Sequence, residues 1–371
     1  MGAVDDAERT ELRAVTRGFF EKYSDESAVR ATIASEESYD RTMWDAMATQ
    51  LGLAGMVIPE EYGGGEFAYA DLEVVLEEMG RALVCAPFLS TAVLVPAALL
   101  ASGDRDACAR VLPAIADGSL IATLAFTDDF GQWSADDAAV TADRRSEGYV
   151  LNGRRRFVLD GVAAGALLVV ARTDTGHGLF LVEADAAGVS RRKLETLDLT
   201  REHADLCFAD VEATLIGADG AASDYVEAAL DAALVGVAAQ QVGAARRALE
   251  LSVEYAQIRE QFERVIGSFQ VIKHKCADML LDVETATSAA VAAAVALDEL
   301  TDDRSVVASL AKAYCSEAFK HVAAETIQVH GGIGFTWEHP AHLYFRRARG
   351  DEVLFGTPAA HRERMLVRLG H

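Results

Sequence analysis

The hydrophobic period of this chain changes twice, and that alternation limits the folds open to it more than any other feature. From residue 5 to about 115 the apolar residues recur at helical spacing, broken at turn signals. Segments 43–51, 70–83 and 91–102 read as helices. Between the first two, LGLAGMVIPEEYGGGEFAYADLE carries Pro59 and the glycine run 63–65, which force an irregular loop. Near residue 118 the period drops to that of strands. Segments 120–126, 148–151, 155–159, 166–172, 179–183 and 204–208 are short and β-rich, and together they predict a compact sandwich or open barrel. Asn152-Gly153 predicts a type I′ hairpin turn, because both central positions of that turn need positive φ. After Gly220 the helical period returns. Leu230, Leu234, Val237 and Gln241 fall at helical spacing, as do Ile272, Cys276, Leu280 and Val283, and 306–329 is long and proline-free. The expected class is α+β: an all-α domain over 1–117, a β-domain over 118–216, and a C-terminal antiparallel four-helix bundle over 217–371.

Charge narrows the partners. The chain carries 58 acidic against 34 basic residues, a formal charge of −24. Such a field repels polyanions, so neither nucleic acid nor an anionic membrane is an expected partner, and any grip on a phosphate must be local. The opening MGAVDDAERTELR has neither the basic nor the apolar region of a signal peptide, and apolar stretches such as 289–297 fall short of a bilayer's thickness. The expectation is a cytoplasmic protein. Cys85, Cys108, Cys207, Cys276 and Cys315 lie far apart with no CxxC, which predicts reduced thiols and neither a metal site nor a disulfide framework.

Two clusters carry candidate chemistry. IQVHGGIGFTWEHP places Gln328 at a helix end, followed by Gly331, Gly332 and Gly334. Taken alone, these glycines mark either a helix stop or a place where a ligand or second chain approaches the backbone. They are not a dinucleotide fingerprint, because no strand precedes them. In YAQIREQFERVIGSFQ, residues 255–270, Arg259 and Phe262 are expected on one face of a helix end. A guanidinium there could fork onto a pyrophosphate beside an adenine-packing ring; the plain alternative is a surface arginine next to a core phenylalanine.

Taken in order, LGLAGMVIPEEYGG, RxxFxxxxxxxQ and QVHGGIGF resemble the acyl-CoA dehydrogenase family from about residue 5 to 368. The resemblance implies FAD lying across a subunit interface, its flavin ring on one subunit's β-domain and its ADP half clamped by the neighbour's bundle. Arg259, Phe262, Gln270, Gln328, Gly331 and Gly332 match that clamp, while Glu263 stands where the family has glycine. The family reaction removes the α-proton of a CoA thioester with a glutamate while the β-hydride passes to the flavin. Such a base is worth about 10²–10⁴-fold. Its usual seat, in a Tyr-Glu-Gly-Thr motif, reads here Leu354-Phe355-Gly356-Thr357, and the alternative seat early in the first bundle helix falls on Ala233, followed by Leu234. None of these side chains takes a proton. Asp231 and Glu352 are the carboxylates left near the two seats.

The family's flavin-side loop has drifted as well. It reads Thr127-Asp128-Asp129-Phe130-Gly131-Gln132-Trp133-Ser134, with bulky Phe130 and Trp133 and two carboxylates that repel a pyrophosphate. The later flavin-binding segment reads Phe157-Val158-Leu159-Asp160-Gly161, so Leu159 lacks the expected hydroxyl. The chain is thus most similar to the non-catalytic subunit of actinobacterial α2β2 dehydrogenases of steroid-CoA side chains. The resemblance implies a heteromeric FAD-dependent enzyme of lipid or steroid degradation, such as cholesterol catabolism, inactive in this chain alone and completed by a homologous catalytic subunit. Its substrate would be an acyl-CoA and its reoxidant an electron-transferring flavoprotein. Two other readings stay open: a self-sufficient homo-oligomeric dehydrogenase with Asp231 or Glu352 as displaced base, and a flavin-free CoA-ester binding or scaffold protein.

Overall fold

The computed structural model describes residues 6–134, 139–146 and 148–370. Helices α1 (Asp6–Tyr23), α2 (Glu26–Ala34), α3 (Arg41–Leu51), α4 (Tyr69–Arg81), α5 (Val95–Ser102) and α6 (Arg105–Ala116) come first. Asp25, Asp40 and Asp104 cap α2, α3 and α6 by accepting first-turn backbone N–H groups. The helix expected over 70–83 ends at Arg81, and Leu83 turns into the left-handed region at φ 49°. The one expected over 91–102 starts earlier, as a π-helical turn over Leu89–Leu94 that runs into α5.

Strands β1 (Ala122–Ala125), β2 (Val140–Arg145), β3 (Gly148–Leu159), β4 (Ala166–Thr173), β5 (Gly176–Glu183), β6 (Val189–Lys193) and β7 (His203–Ile216) form one sheet. Pairings β2–β3, β3–β7, β7–β5 and β5–β4 return to β2 through the single pair Thr141–Arg172, which almost closes a barrel. Asn152-Gly153 is not the expected hairpin turn. It lies inside β3, where the register against β7 shifts between Leu151 and Gly153. The positive φ of Gly153 (134°) serves a bulge there. A Cβ at Gly153 would meet the Ala139 carbonyl oxygen at 2.1 Å, and Asn152 instead exchanges side-chain hydrogen bonds with Asp210 on β7.

The C-terminal domain holds α7 (Ala222–Ile258), a tiny hairpin of β8 (Glu260–Gln261) and β9 (Arg264–Val265), then α8 (Gln270–Asp298), α9 (Arg304–His330), α10 (Ala341–Val353) and α11 (Pro358–Arg368). Gln241–Ser316 and Ser252–Thr326 hydrogen bonds show α7 and α9 running parallel, and Lys275–Glu325 with Asp282–His321 sets α8 antiparallel to both. The bundle carries two short helices where one was expected. Thr357 caps α11 and Pro358 opens it, so the chain breaks at Leu354–Gly356 instead of continuing α10. α4 crosses α7 at Gly80 and Gly243, where an added Cβ would lie 1.9 Å and 1.7 Å from the facing carbonyl oxygens of Gln240 and Glu77. That close approach seats the first domain on the third.

Both α7 and α8 are long and apolar enough to cross a bilayer, more so than residues 289–297 suggested. The apolar stretch of α7 is 94% buried inside the bundle, whereas that of α8 is only 33% buried.

Candidate cofactor clamp and active site

The bundle brings the sequence-derived clamp residues to one end. Tyr255, near the end of α7, stacks on His330 at the end of α9 with ring centroids 4.5 Å apart. Lys275 in the first turns of α8 pairs with Glu325 on α9. Arg259 and Gln270, flanking the β8–β9 hairpin, therefore share this end with Gln328, Gly331 and Gly332. All but Gly331 are exposed, and Gly331 is half-buried.

Phe262 departs from expectation. It does not share a helix face with Arg259, because α7 stops at Ile258 and Arg259 is already extended (φ −76°, ψ 123°). Phe262 and Glu263 form the tip of the β8–β9 hairpin, both with positive φ (55° and 63°). The Phe262 ring is 87% exposed, touching Phe269 edge-on at 6.1 Å, and the Arg264 guanidinium sits 4.1 Å over Phe269. The glycine usual after the phenylalanine would take this left-handed position without strain; Glu263 takes it at a cost of about 1 kcal/mol or more.

Gly331 ends α9 at φ 63°. Gly332 needs no positive φ, and a Cβ there would meet nothing within 4 Å. Neither backbone geometry nor packing within this chain asks for glycine at 332. The end is open to solvent, and the chemistry of the exposed Arg259 beside the N-terminus of α8 suits an anion.

In the loop that resembles the family's flavin-side segment, several polar groups bond within the chain. Thr127 donates its hydroxyl to the Arg156 carbonyl at 2.6 Å. Asp128 accepts from the Phe130 and Gln132 amides, so those donors serve the loop itself. Phe130 points outward, 83% exposed, and Trp133 packs against Phe126 and His177. Leu159 is buried, its carbonyl taking the Thr123 hydroxyl.

Phe355 fills the position resembling the base seat. It is 6% exposed, held at φ 58°, and lies 5.7 Å from Phe126 with the rings tilted 30°. Phe126 and Phe355 belong to the main core, and partly buried Trp133 packs against it. Ala233 and Leu234 are fully buried on α7. The two nearby carboxylates are engaged elsewhere: Asp231 with Arg364 (2.7 Å) and the Ser305 hydroxyl, Glu352 with Lys320 (2.6 Å) and Arg349.

Sequence reasoning missed the buried polar groups around this region. Lys312, wholly buried on α9, donates to Ser316 Oγ at 3.0 Å and to the Gly356 carbonyl at 3.3 Å, and burial pulls it down to about 8. His361 packs against the same loop, and burial, with Lys312 and Arg364 nearby, holds it neutral at about 3. Arg201 binds Asp351 at 2.9 Å and Arg347 donates to Thr200 Oγ1 at 2.7 Å, tying the β6–β7 loop to α10. Burial pushes Asp160, which accepts from Ser90 at 2.6 Å, up to about 7. A lone lysine flanked by Leu310, Ala311 and Ala313 was the available signal for Lys312.

Comparison with known proteins agrees with the geometry. Residues 6–119 match the N-terminal domain of acyl-CoA dehydrogenases and residues 223–370 their C-terminal domain. The chain is 37% identical over 351 residues to the acyl-CoA dehydrogenase IpdE2 of Mycobacterium tuberculosis, covering 95% of this chain and 94% of the relative. It superposes on one chain of the ChsE4–ChsE5 complex of Mycobacterium tuberculosis with a TM-score of 0.90 at 28% identity, covering 100% of this chain and 99% of that one. A variant of the Tcur3481–Tcur3483 steroid ACAD gives a TM-score of 0.87 at 31% identity, covering 98% of each chain.

Proposed function

Because the chain belongs to the acyl-CoA dehydrogenase family, we propose that it is the non-catalytic subunit of a heteromeric dehydrogenase, lending an ADP clamp to FAD held mainly by a homologous partner. The observation that carries this reading is an asymmetry. The base seat holds a core phenylalanine packed on Phe126, while the clamp end is exposed and keeps room at Gly332.

FAD, when bound, supplies the acceptor for the hydride that leaves the thioester's β-carbon. What this chain does is bind and orient. Arg259 would supply the guanidinium for the pyrophosphate, Phe262 an exposed ring for the adenosine side, and Gln270 and Gln328 amides for further hydrogen bonds. Gly331 and Gly332 let the ligand reach the backbone. Phe355 holds no proton, so abstraction falls to the partner's glutamate. Asp231 and Glu352 are poor substitutes, each being held by a cation. The likeness to a steroid ACAD supports a steroid CoA thioester as substrate.

The test is turnover of a steroid-CoA thioester with an artificial electron acceptor. The chain alone should be inactive, and activity should appear on mixing with a same-genome homologue that keeps the Tyr-Glu-Gly-Thr seat. Turnover by the chain alone would favour the displaced-base enzyme.

A further inference from the structure

His330 is the last residue of α9, two positions after Gln328 and directly before Gly331. It is buried, although Gln328 and Gly332 on either side of it are exposed. Its Nδ1 lies 2.7 Å from the Thr326 carbonyl oxygen, which can only accept, so Nδ1 carries the hydrogen and donates. Burial pulls the imidazole below its usual value, and the ring stays uncharged at neutral pH.

The residue meets three other segments. Tyr255 of α7 stacks on the ring at 4.5 Å with the planes 29° apart. His339, just ahead of α10, lies 4.3 Å away, and a Cβ at Gly334 would stand 3.1 Å from the Cβ of His330. Gly334 therefore has a reason within the chain to be glycine, which Gly332 lacks. Tyr255 is tied to Arg259 as closely as His330 is to Gln328. The Arg259 amide donates to the Tyr255 carbonyl at 2.9 Å, and the Arg259 carbonyl accepts from the Ile266 amide at 2.8 Å, behind the β8–β9 hairpin. About one turn further from the end, the Ser252 hydroxyl joins α7 to Thr326 of α9 at 3.1 Å. The two halves of the clamp thus leave from helix ends that meet at the Tyr255–His330 stack.

We propose that His330 is a positioning residue for the cofactor clamp: packed on Tyr255 and His339, its ring sets the separation between Arg259 at the end of α7 and Gln328 with the Gly331–Gly332 turn at the end of α9. This rests on the shared-clamp reading above. The ring is buried behind the exposed clamp residues and acts through them. Holding them in place before the ligand binds spares the cost of ordering them afterwards, which shows as affinity.

The experiment titrates FAD, read by flavin fluorescence, into the flavin-stripped complex of this chain with its same-genome homologue. The chains compared are wild type, His330→Ala, His330→Phe, Tyr255→Leu, Arg259→Ala and the His330→Ala/Arg259→Ala double variant, with the melting temperature of each chain alone. His330→Ala should raise the Kd for FAD about 10-fold, the size of a coupling within one contact network. His330→Phe, which keeps a planar ring against Tyr255, should recover most of that loss. The double variant should bind no more weakly than Arg259→Ala, because a misplaced arginine and a missing one forfeit the same contact. Should His330→Ala fail to assemble, Tyr255→Leu removes the other half of the stack and should weaken binding in the same way. An unchanged Kd in His330→Ala or Tyr255→Leu, with Arg259→Ala still weakening FAD binding, overturns the positioning role and leaves the shared clamp standing. So does a lowered melting temperature without a change in Kd, which is the mark of a purely structural residue. No effect of Arg259→Ala overturns the shared clamp and this proposal together.

Discussion

Replacing Phe355 with glutamate restores, in sequence, the residue that the family's usual base seat carries, and the structure predicts that it restores nothing else. The ring is 6% exposed and packs 5.7 Å from Phe126, itself 1% exposed. Removing a buried phenylalanine side chain costs about 3–5 kcal/mol, which includes about 0.5–1.5 for the aromatic pair. Glutamate keeps two methylenes but turns a carboxyl toward Phe126, so desolvation returns what those methylenes save. The left-handed backbone (φ 58°) strains any non-glycine residue there equally and drops out of the comparison. Phe355→Glu should therefore lose about 3–5 kcal/mol in urea unfolding of the isolated chain. It should gain no thioester turnover, because position 355 lies in the core beside Phe126. A variant with wild-type stability that turned over a thioester by itself would refute the reasoning, since it would show an open and competent site behind Phe355.

Three other perturbations follow. Arg259→Ala, altering an exposed side chain, should leave folding within about 0.5 kcal/mol of wild type and lower the FAD content of the complex, read by absorbance after gel filtration. Glu263→Gly should relieve the left-handed strain at φ 63°, stabilising the chain by about 1 kcal/mol, and slow FAD loss from the complex by removing a carboxylate beside the pyrophosphate. Asp160 has a folded value of about 7, raised by burial above an unfolded value of about 4. Its stabilising contribution is therefore full below about pH 4 and lost as pH rises through about 7. Asp160→Asn should gain on wild type steadily from pH 5 to pH 8 in urea midpoints; parallel profiles would contradict this.

The α, β, α order was legible because periods of 3.6 and 2 are imposed by which side chains face a core, here one that runs through all three domains. α7, α8 and α9 announced themselves by length. Two strands escaped notice for a physical reason: β2 is the polar VTADRR and β6 the exposed edge VSRRK, neither with an apolar run. Asn152-Gly153 misled because a bulge and a type I′ turn ask the same backbone freedom of glycine, and only cross-strand register separates them. Arg259 and Phe262 were expected on one helix face because spacing cannot show that a helix ends between them; the hairpin tip at Phe262-Glu263 carries no glycine to signal the turn. At the base seat the sequence placed Phe355 correctly in the chain, but its packing on Phe126 joins residues more than two hundred positions apart. The Arg201–Asp351 pair was invisible for the same reason, being long-range partners that only the folded chain brings together.

Flavin stoichiometry tests the central claim most directly. The absorbance of bound FAD per polypeptide would be measured for the chain alone and for its complex with the homologue that keeps the glutamate seat. The shared-clamp account predicts little flavin on the chain alone and one FAD for each pair of chains in the complex. One FAD per polypeptide on the isolated chain would contradict it, because the chain's own β-domain would then be binding flavin.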